Sequence, residues 1–441
     1  MDLLKKYKSR AETFPFSCFS SILFLVPNPV GPTAWKEAGN ALLQKKEVSG
    51  AVEAYTAGIQ LGPDEKLLAV LLSNRSQAYL SLGEPGLALM DADMAVKLDP
   101  TFQKSLFRRG KALFDLERFE EAKEAFQGCE GQEKMVSASA EHLAQVERGE
   151  YNWPVWLTEC TRDAEQLHDV SDYRNKLMQQ KEIAGKGRGL VATEDLPKGT
   201  LLLVEKAAAI VFPGSCMAKR KSPGELLSAQ LHDLIKSART AKERKLVSGL
   251  QELSTGETKK SESVSMETDL SLFLRKLLIV NGFGWSDACK ANVSQRPTDH
   301  GFGLWLQASM FNHSCIPNAL YGFLGNVLVV RLARDVVKDE EICIAYCSCH
   351  DSLEERNAKL QRRGFQCVCE LCEKQRTKLS DEFISARNTI FGELQSGKSV
   401  HSSLYWHGLV IIKKKRENVL HNLLNFPLPF PLSLFFVGKA C

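Results

Sequence analysis

The C-terminal half contains the sequence NHSCIPN (residues 312–318), which is followed further along the chain by CVCELC (residues 367–372). Three cysteines this close together, with a fourth beside a proline turn, can give four thiolates to one tetrahedral zinc ion. The predicted ligands are Cys315, Cys367, Cys369 and Cys372. Because an apolar run ending at Tyr346 lies between the two stretches, we expect the metal to close a pocket lined by Asn312, His313 and Tyr346.

Length and composition place the chain among multidomain globular proteins. Its 441 residues are enough for about two or three domains with separate cores. The hydrophobic fraction of 44% and the charged fraction of 25% are ordinary, and a net charge of +4 is too small to indicate direct nucleic-acid binding. The 13 cysteines are odd in number and partly clustered at metal-ligand spacing, so we expect a reducing compartment, cytoplasmic or nuclear.

Segments near both ends differ from the rest. Residues 14–30 are apolar and follow a basic start, as in a signal peptide. The run is shorter than the roughly 20 residues of a membrane helix and has prolines near both ends, so we predict no membrane association. The segment 426–436 is likewise apolar and contains prolines. Short basic runs at 219–221 and 413–416 could be nuclear-import signals or solvated charged surface.

The N-terminal third contains an internal repeat. Ser76 and Gly110 are 34 residues apart, as are Ala88 and Ala122. This period is typical of tetratricopeptide helix pairs. An earlier copy, which includes Tyr55, is offset because the turn after it is longer. Three such pairs over about 35–130 would stack into an all-α superhelix with a peptide-binding inner face.

Cationic and amide side chains recur at matching positions of these copies. They are Lys36, Asn40, Asn74, Lys104 and Arg108. This set resembles the carboxylate clamp of tetratricopeptide co-chaperones. The resemblance implies that the groove binds the C-terminal Glu-Glu-Val-Asp peptide of heat-shock chaperones through charge-assisted hydrogen bonds. Alternatively, each residue is a solvated polar side chain on a helix.

The C-terminal half has a different residue pattern from the helical repeats. The glycine-rich segment 184–190 is followed by short β-prone runs at 200–204 and 207–212, which predict a small twisted sheet. The glycine loop by itself is weak, because it lacks the context of a Rossmann unit and the ending of a P-loop.

The order of the motifs is more specific: glycine loop, NHSCIPN, a strand with a glycine turn, Tyr346 and CVCELC. This order resembles a SET domain, and more narrowly the SET and MYND-domain lysine methyltransferases that carry tetratricopeptide repeats. The resemblance implies a bound S-adenosylmethionine and a catalytic Tyr346. It implies cofactor contacts by Lys186, Gly187, Arg188, Gly189, Asn281, Asn312, His313, Tyr346 and Phe365.

These residue types suit methyl transfer to an amine. The reaction is an in-line displacement that depends on positioning and on a desolvated channel. An apolar channel lowers the pKa of the incoming lysine by penalising the cation, and the Tyr346 hydroxyl can orient the neutral amine. Alternatively, Tyr346 is a core residue, His313 a turn residue and Asn281 a helix cap. Cys343, Cys347, Cys349 and His350 could form a second metal group, although buried thiols fit the alternating pattern better.

One departure from the family concerns residues 213–269, which hold only one cysteine, Cys216. We therefore expect no MYND zinc module here. The insert is predicted to contain one amphipathic helix near 225–253 and a flexible segment after it.

The predicted organisation is an all-α tetratricopeptide repeat superhelix followed by a β-rich (α+β) SET domain with a zinc site. Residues 1–33 are predicted to be an unstructured or wrongly assigned extension, 34–150 the repeats and 151–180 a helical linker. Residues 181–376 are the SET domain, which includes the insert 214–269 and the zinc motif 367–372. Residues 377–441 are a helical segment followed by a tail that is also unstructured or wrongly assigned. We expect a protein-lysine N-methyltransferase whose repeats recruit a chaperone or another protein. The alternative is a non-catalytic chaperone-binding adaptor.

Overall fold

The computed structural model describes residues 29–377, apart from 163, 164, 166, 220, 239, 254–265, 287–299 and 348–350. The predicted N-terminal extension up to residue 28, the expected flexible segment 254–265 and the tail from 378 therefore lie outside the described residues. Two compact units are present. The first ends at Leu143 and includes residues 240–244, and the second contains the remaining residues from Ala144.

The first unit is built from antiparallel helix pairs, in agreement with the predicted repeats. The helices are α1 (Pro32–Gln44), α2 (Val48–Gln60), α3 (Glu65–Ser81), α4 (Pro85–Leu98), α5 (Gln103–Asp115) and α6 (Phe119–Gln127), and α7 (Glu133–Arg148) follows them. Local signals place the helix starts. The Asp64 side chain accepts the Leu67 N–H at 2.8 Å, and proline occupies the first turn of α1 and of α4.

Small residues let the paired helices approach closely. A Cβ added at Gly39 would lie 2.4 Å from the Tyr55 ring, and one at Gly110 would lie 2.7 Å from the Phe126 ring. Since both rings are fully buried, each glycine provides the space that its partner's aromatic ring fills. The buried Arg75 and Asp91 form an ion pair of 2.7 Å between α3 and α4.

The second unit contains three small sheets. The strands are β1 (Tyr173–Arg174), β2 (Met178–Ile183), β3 (Gly187–Ala192), β4 (Leu201–Lys206), β5 (Ala209–Val211), β6 (Phe283–Ser286), β7 (His300–Leu304), β8 (Asn312–His313), β9 (Ala319–Leu324), β10 (Val327–Leu332) and β11 (Glu341–Ile344). The sheet orders are β1-β4-β10-β9, β2-β3-β11-β8 and β5-β7-β6. Neighbouring strands are antiparallel except β11 and β8, which run parallel and bring Ile344 beside His313.

The remaining helices lie in the second unit, except that residues 241–244 belong to the first. They are α8 (Trp153–Arg162), α9 (Pro213–Lys219), α10 (Pro223–Ser237), α11 (Ala241–Glu252), α12 (Met266–Asn281), α13 (Leu353–Gln361) and α14 (Glu370–Thr377). The main apolar core lies among the strands and includes Leu190, Trp305 and Ile344. Within the part of the chain that the structure describes, no helix is both long enough and apolar enough to cross a membrane.

Two local expectations are wrong. Residues 151–180 do not form a helical linker throughout, because β1 pairs with β4 and β2 begins at Met178. The insert holds two helices over 225–253 instead of one. Ala238 has a non-helical ψ of 107°, and the Thr240 hydroxyl accepts the Glu243 N–H to start α11. Hydrophobic periodicity does not register such a cap, which is why the two helices looked like one.

Candidate active site and metal centre

The four predicted metal ligands come together in the second unit. The Sγ atoms of Cys315, Cys367, Cys369 and Cys372 all lie within 4.8 Å of one another. Cys315 Sγ lies 3.9 Å from Cys367 Sγ and 3.5 Å from Cys372 Sγ. Sulfur atoms on a tetrahedron around zinc are about 3.8 Å apart, since each Zn–S bond is about 2.3 Å. The sulfur cluster therefore fits zinc in both ligand type and spacing.

A buried cation lies against this cluster. Arg356 on α13 is 0% exposed, and its Nη2 lies 3.7 Å from Cys372 Sγ. The guanidinium also donates to the Asp351 carbonyl at 2.5 Å and to the Gln375 side chain. Burial lowers the pKa of Arg356, but the neighbouring Cys372 and Cys315 sulfurs outweigh burial and leave the pKa raised. A permanent positive charge here would offset part of the negative charge of four thiolates.

His313 connects the sulfur cluster to Tyr346. The Tyr346 backbone N–H donates to His313 Nδ1 at 3.0 Å, so the ring proton of a neutral His313 is on Nε2. Nε2 lies 3.2 Å from Cys315 Sγ, and the residue is 4% exposed. The imidazole thus occupies a position that would orient a metal-bound thiolate.

A second group of possible ligands overlaps the first. It consists of His313, Cys315 and Cys347. Cys347 is 2% exposed and Cys343 is 6% exposed, so both side chains are buried, as the alternating pattern favours. Cys349 and His350 lie outside the described residues.

Tyr346 forms part of a pocket and is held firmly. Its hydroxyl donates to the Phe311 carbonyl at 2.5 Å, and the Arg363 guanidinium lies 4.8 Å from the centre of its ring. Burial raises the pKa of the Tyr346 phenol, and the charge of Arg363 opposes this only in part. The pocket is lined by Val280, Asn281, Gly282, Phe283, Gly284, Ser309, Tyr321, Tyr346 and Arg363. The phenol is therefore a neutral hydrogen-bonding group at physiological pH.

The predicted glycine loop meets Asn312. Asn312 Nδ2 donates to the Arg188 carbonyl at 3.2 Å and to the Glu341 carboxylate at 2.8 Å. The same carboxylate accepts from Lys186 Nζ at 2.5 Å. A Cβ at Gly189 would lie 2.6 Å from Asn312 Nδ2, so only glycine allows this approach. Gly187, with φ +73°, is the first residue of β3 and follows the turn at 184–186.

The remaining predicted cofactor residues border this region. Asn281 ends α12, lines the pocket and donates from Nδ2 to the Leu277 carbonyl at 2.9 Å. The Phe365 ring centre lies 6.1 Å from that of His313 and 6.2 Å from that of Tyr346.

Sequence reasoning missed three charged side chains around these residues. Glu341 bridges the glycine loop and Asn312, as described above. Arg363 donates to the Val280 carbonyl at 2.5 Å and to the Gly282 carbonyl at 3.4 Å, and so fixes the segment that contains Asn281. Its position two residues before Phe365 was the only available signal.

Glu205 is the third missed residue. Its carboxylate accepts the N–H groups of Gln307 and Ala308, both at 2.8 Å, at the start of the short 3₁₀ helix Ala308–Met310. Burial raises the pKa of Glu205 to about 8, because the two backbone hydrogen bonds only partly oppose desolvation. This helix leads directly into Phe311 and Asn312. In the sequence, Glu205 is merely an acid at the end of an apolar strand.

The clamp residues form a separate site in the first unit. Asn74 Nδ2 donates to Asn40 Oδ1 at 3.2 Å, and Arg108 Nη1 donates to Asn74 Oδ1 at 3.2 Å. Two further residues, which the sequence did not predict as clamp members, join this series. Tyr55 contacts Asn40 at 2.8 Å, and Ser73 contacts Arg108 at 2.6 Å. The two other predicted members are Lys36 and Lys104. Each lies one helical turn before Asn40 or Arg108 and shares its helix face.

Comparisons with known families identify parts of both units. Residues 187–347 match the SET domain, and residues 103–131 match a tetratricopeptide repeat. These matches confirm the predicted fold class, with helical repeats before a β-rich SET domain.

Three curated relatives cover different parts of the chain. A protein named "Methyltransferase" from Gibberella zeae is 25% identical over 397 residues, which are 82% of this chain and 54% of that protein. Histone-lysine N-methyltransferase ASHR2 from Arabidopsis thaliana is 26% identical over 186 residues, 40% of this chain and 45% of that protein. The heat-shock protein cognate co-chaperone sgt12 from Aspergillus fumigatus is 32% identical over 162 residues, 36% of this chain and 42% of that protein. The chain thus spans about half the length of these relatives, or less.

Proposed function

We propose that this chain, which carries a SET domain behind tetratricopeptide repeats, transfers methyl groups from S-adenosylmethionine to lysine side chains of proteins. The observation that carries the proposal is the Tyr346 hydroxyl, fixed on the Phe311 carbonyl within a pocket that Asn281 also lines. The SET-domain match and the methyltransferase names of two relatives support the same reaction. A cytoplasmic or nuclear location is part of this proposal.

The residues present fit the cofactor. Asn312 and the start of β3 form a polar cradle, in which the Asn312 amide occupies the space that a Cβ at Gly189 would need, and Phe365 adds an aromatic face. Lys186, Arg188 and Glu341 place charges of both signs beside the cradle, which suits a zwitterionic amino-acid group. When bound, S-adenosylmethionine supplies an electrophilic methyl group.

The chain's own contribution is to favour the neutral form of the substrate amine, which releases its proton to bulk water, and to orient that amine. A lysine entering the pocket leaves water and meets the Arg363 guanidinium, and both effects lower the pKa of the amine. The Tyr346 phenol remains protonated because burial raises its pKa, so it can orient the amine by hydrogen bonding but cannot act as a base. Positioning in a water-poor pocket supplies most of the acceleration.

We also propose that Cys315, Cys367, Cys369 and Cys372 bind a structural zinc ion. With all four positions filled by thiolates, the ion would have no open coordination site for catalysis. Its role is to join the loop after β8 to the segment that carries Phe365. Binding of the metal would therefore order two predicted cofactor contacts, Asn312 and Phe365, at the same time.

Methyl labelling of a proteome tests the enzymatic proposal. The wild-type chain should transfer labelled methyl groups from S-adenosylmethionine to lysines, and Tyr346→Phe should reduce this at least about 100-fold. Binding of the cofactor to both proteins, measured by calorimetry, is the control for folding. If the wild type neither binds S-adenosylmethionine nor labels any protein, the chain is a non-catalytic adaptor.

For the repeats, we propose that the clamp binds the C-terminal carboxylates of a heat-shock chaperone. The hydrogen-bonded series Asn40, Asn74 and Arg108 supports this assignment, together with the 32% identity to a co-chaperone. A chaperone or its bound client would thereby be brought to the enzyme as partner or substrate.

Peptide binding tests the clamp. A peptide ending in Glu-Glu-Val-Asp should bind about 10- to 100-fold more weakly to Lys104→Ala and Arg108→Ala, because each substitution removes a charged hydrogen-bond donor. Lys97→Ala, an exposed change on α4, is the matched control and should bind normally. Undiminished binding by both clamp variants, or equal binding of a C-terminally amidated peptide, would contradict the assignment.

A further inference from the structure

A cysteine, a histidine and a glutamate form a linear arrangement at the end of α8. Cys160 Sγ lies 3.3 Å from His168 Nε2, and His168 Nδ1 lies 3.4 Å from Glu159 Oε2. None of these residues contributes to the pocket or to the sulfur cluster described above. The order thiol, imidazole, carboxylate is the one that activates a nucleophilic cysteine.

The imidazole is held rigidly between its two partners. Its side chain is 3% exposed and stacks on Trp156 with ring centres 5.1 Å apart. The His168 backbone N–H donates to Asn326 Oδ1 at 2.7 Å. Since Asn326 lies in the turn between β9 and β10, this turn also holds His168 in place. Since a carboxylate faces Nδ1, the proton of the neutral ring belongs on Nδ1 and the lone pair of Nε2 faces the thiol.

The protonation states favour this role. Burial lowers the pKa of His168, and Glu159 opposes that shift only in part, so a neutral imidazole is available to accept a proton at physiological pH. Glu159 is 43% exposed, which leaves the carboxylate hydrated and able to stabilise an imidazolium. Cys160 is of intermediate burial, whereas Cys129 is buried.

We propose that Cys160 is a thiol–disulfide exchange site, activated by His168 and Glu159, that reacts with low-molecular-weight disulfides such as oxidised glutathione. The Cys160 proton moves to His168 Nε2, and the thiolate attacks one sulfur of the disulfide. A new S–S bond forms to Cys160 as the old S–S bond breaks. The leaving thiolate then takes the proton back from His168, so no other oxidant is consumed.

A disulfide is favoured as the reagent because the exchange uses the imidazole twice, first as base and then as acid. The site is independent of the proposed methyl transfer, since it shares no residue with that pocket. Cys129 offers an internal comparison. Its sulfur contacts the Ala125 carbonyl at 3.4 Å, the residue is 8% exposed, and burial raises the pKa of the thiol.

The experiment incubates the full-length protein with oxidised glutathione at neutral pH and follows each cysteine by peptide mass spectrometry. Native Cys160 should react about threefold faster than Cys160 in the urea-unfolded chain, because the gain in thiolate fraction that His168 provides is partly offset by the lower nucleophilicity of a more acidic thiol. Native Cys129 should react more slowly than its unfolded counterpart. A native Cys160 that reacts no faster than the unfolded one would overturn the proposal.

Two variants test whether Cys160 reacts because His168 and Glu159 activate its thiol or only because the thiol is exposed. His168→Gln should reduce the native rate at least about threefold, and Glu159→Gln should reduce it less, because the carboxylate acts only through the imidazole. Glu159 is partly exposed, so its substitution tests the idea even if His168→Gln does not fold. An unchanged rate in Glu159→Gln, with circular dichroism matching the wild type, would also contradict the proposal.

Discussion

The clamp in the helical unit and the Tyr346 pocket in the β-rich unit are assembled in opposite ways. Asn40, Asn74 and Arg108 are hydrogen-bonded in series, and each lies on the first helix of one of three successive pairs. Around the pocket, partners are joined over irregular separations, such as 124 residues for Arg188 and Asn312 and 83 for Val280 and Arg363. The clamp therefore depends on local periodicity, whereas the pocket depends on long-range contacts.

Removing one metal ligand should give the largest effect, and only in the β-rich unit. Cys315→Ser should lose the zinc ion and, if the proposed activity is correct, at least about 100-fold of methyl transfer, because the same loop carries Asn312. Binding of the Glu-Glu-Val-Asp peptide should remain. Zinc content by atomic emission, labelling and calorimetry would measure the three properties. The control is Cys216→Ser, because Cys216 lies outside the sulfur cluster. If Cys315→Ser still binds one zinc ion, the sulfur cluster is not the zinc site.

Titration of Glu205 should give the next largest effect. Its pKa is about 8 in the folded protein against an ordinary 4.5, so its contribution to stability is full below about pH 4.5 and is lost as the pH rises through 8. The free energy of unfolding of the wild type, relative to Glu205→Gln, should fall by roughly 4 kcal/mol across this range.

Urea denaturation at several pH values would measure this difference. Glu194→Gln, at an exposed position, should leave the pH dependence of the wild type unchanged. A constant difference between wild type and Glu205→Gln from pH 5 to 8.5 would show that Glu205 does not link pH to the pocket's supporting loop.

A glycine substitution tests the close helix packing in the helical unit. Gly110→Ala should lower the free energy of unfolding by about 1–3 kcal/mol, because the new Cβ would lie 2.7 Å from the buried Phe126 ring. Gly50→Ala is the matched control. At Gly50 the nearest atom is 3.5 Å away, so alanine should instead stabilise α2 by about 0.5–1 kcal/mol. Thermal unfolding would compare the two, and equal shifts would show that close helix packing does not control stability here.

The smallest predicted effect concerns the buried cation beside the sulfur cluster. Arg356→Met should weaken zinc binding about tenfold, because the negative charge of the thiolates loses its nearest compensation. Competition with a chelator would measure the affinity. Arg362→Met, an adjacent but exposed change, should bind zinc as the wild type does. If both variants release zinc equally, Arg356 is only a packing residue.

What the sequence predicted follows this same division. The repeat period anticipated the three helix pairs and the alignment of Asn40, Asn74 and Arg108. The cysteine spacing anticipated four sulfur atoms within reach of one ion, and the motif order anticipated the SET domain. The metal, the cofactor and the roles of the site residues remain predictions, although the structure brings Asn312, Gly189 and Arg188 together.

What the sequence did not predict depends on contacts between distant segments. Glu205, Glu341 and Arg363 acquire importance only through partners on other strands or helices. The break at Ala238 was missed because a cap at Thr240 interrupts an otherwise continuous apolar pattern. The pairing of Cys160 with His168 was missed because neither spacing nor residue type marks it as a known motif.

The helical repeats, the clamp positions and the cysteine set follow from local periodicity and short spacing along the chain. The charges around Tyr346, the tautomer of His313 and the base that faces Cys160 are instead set by long-range contacts in the fold. Helical periodicity is fixed by backbone hydrogen bonds between near neighbours, so it can be read along the chain. Electrostatic environments depend on burial and on atoms a few ångströms apart in space, which only the folded chain brings together.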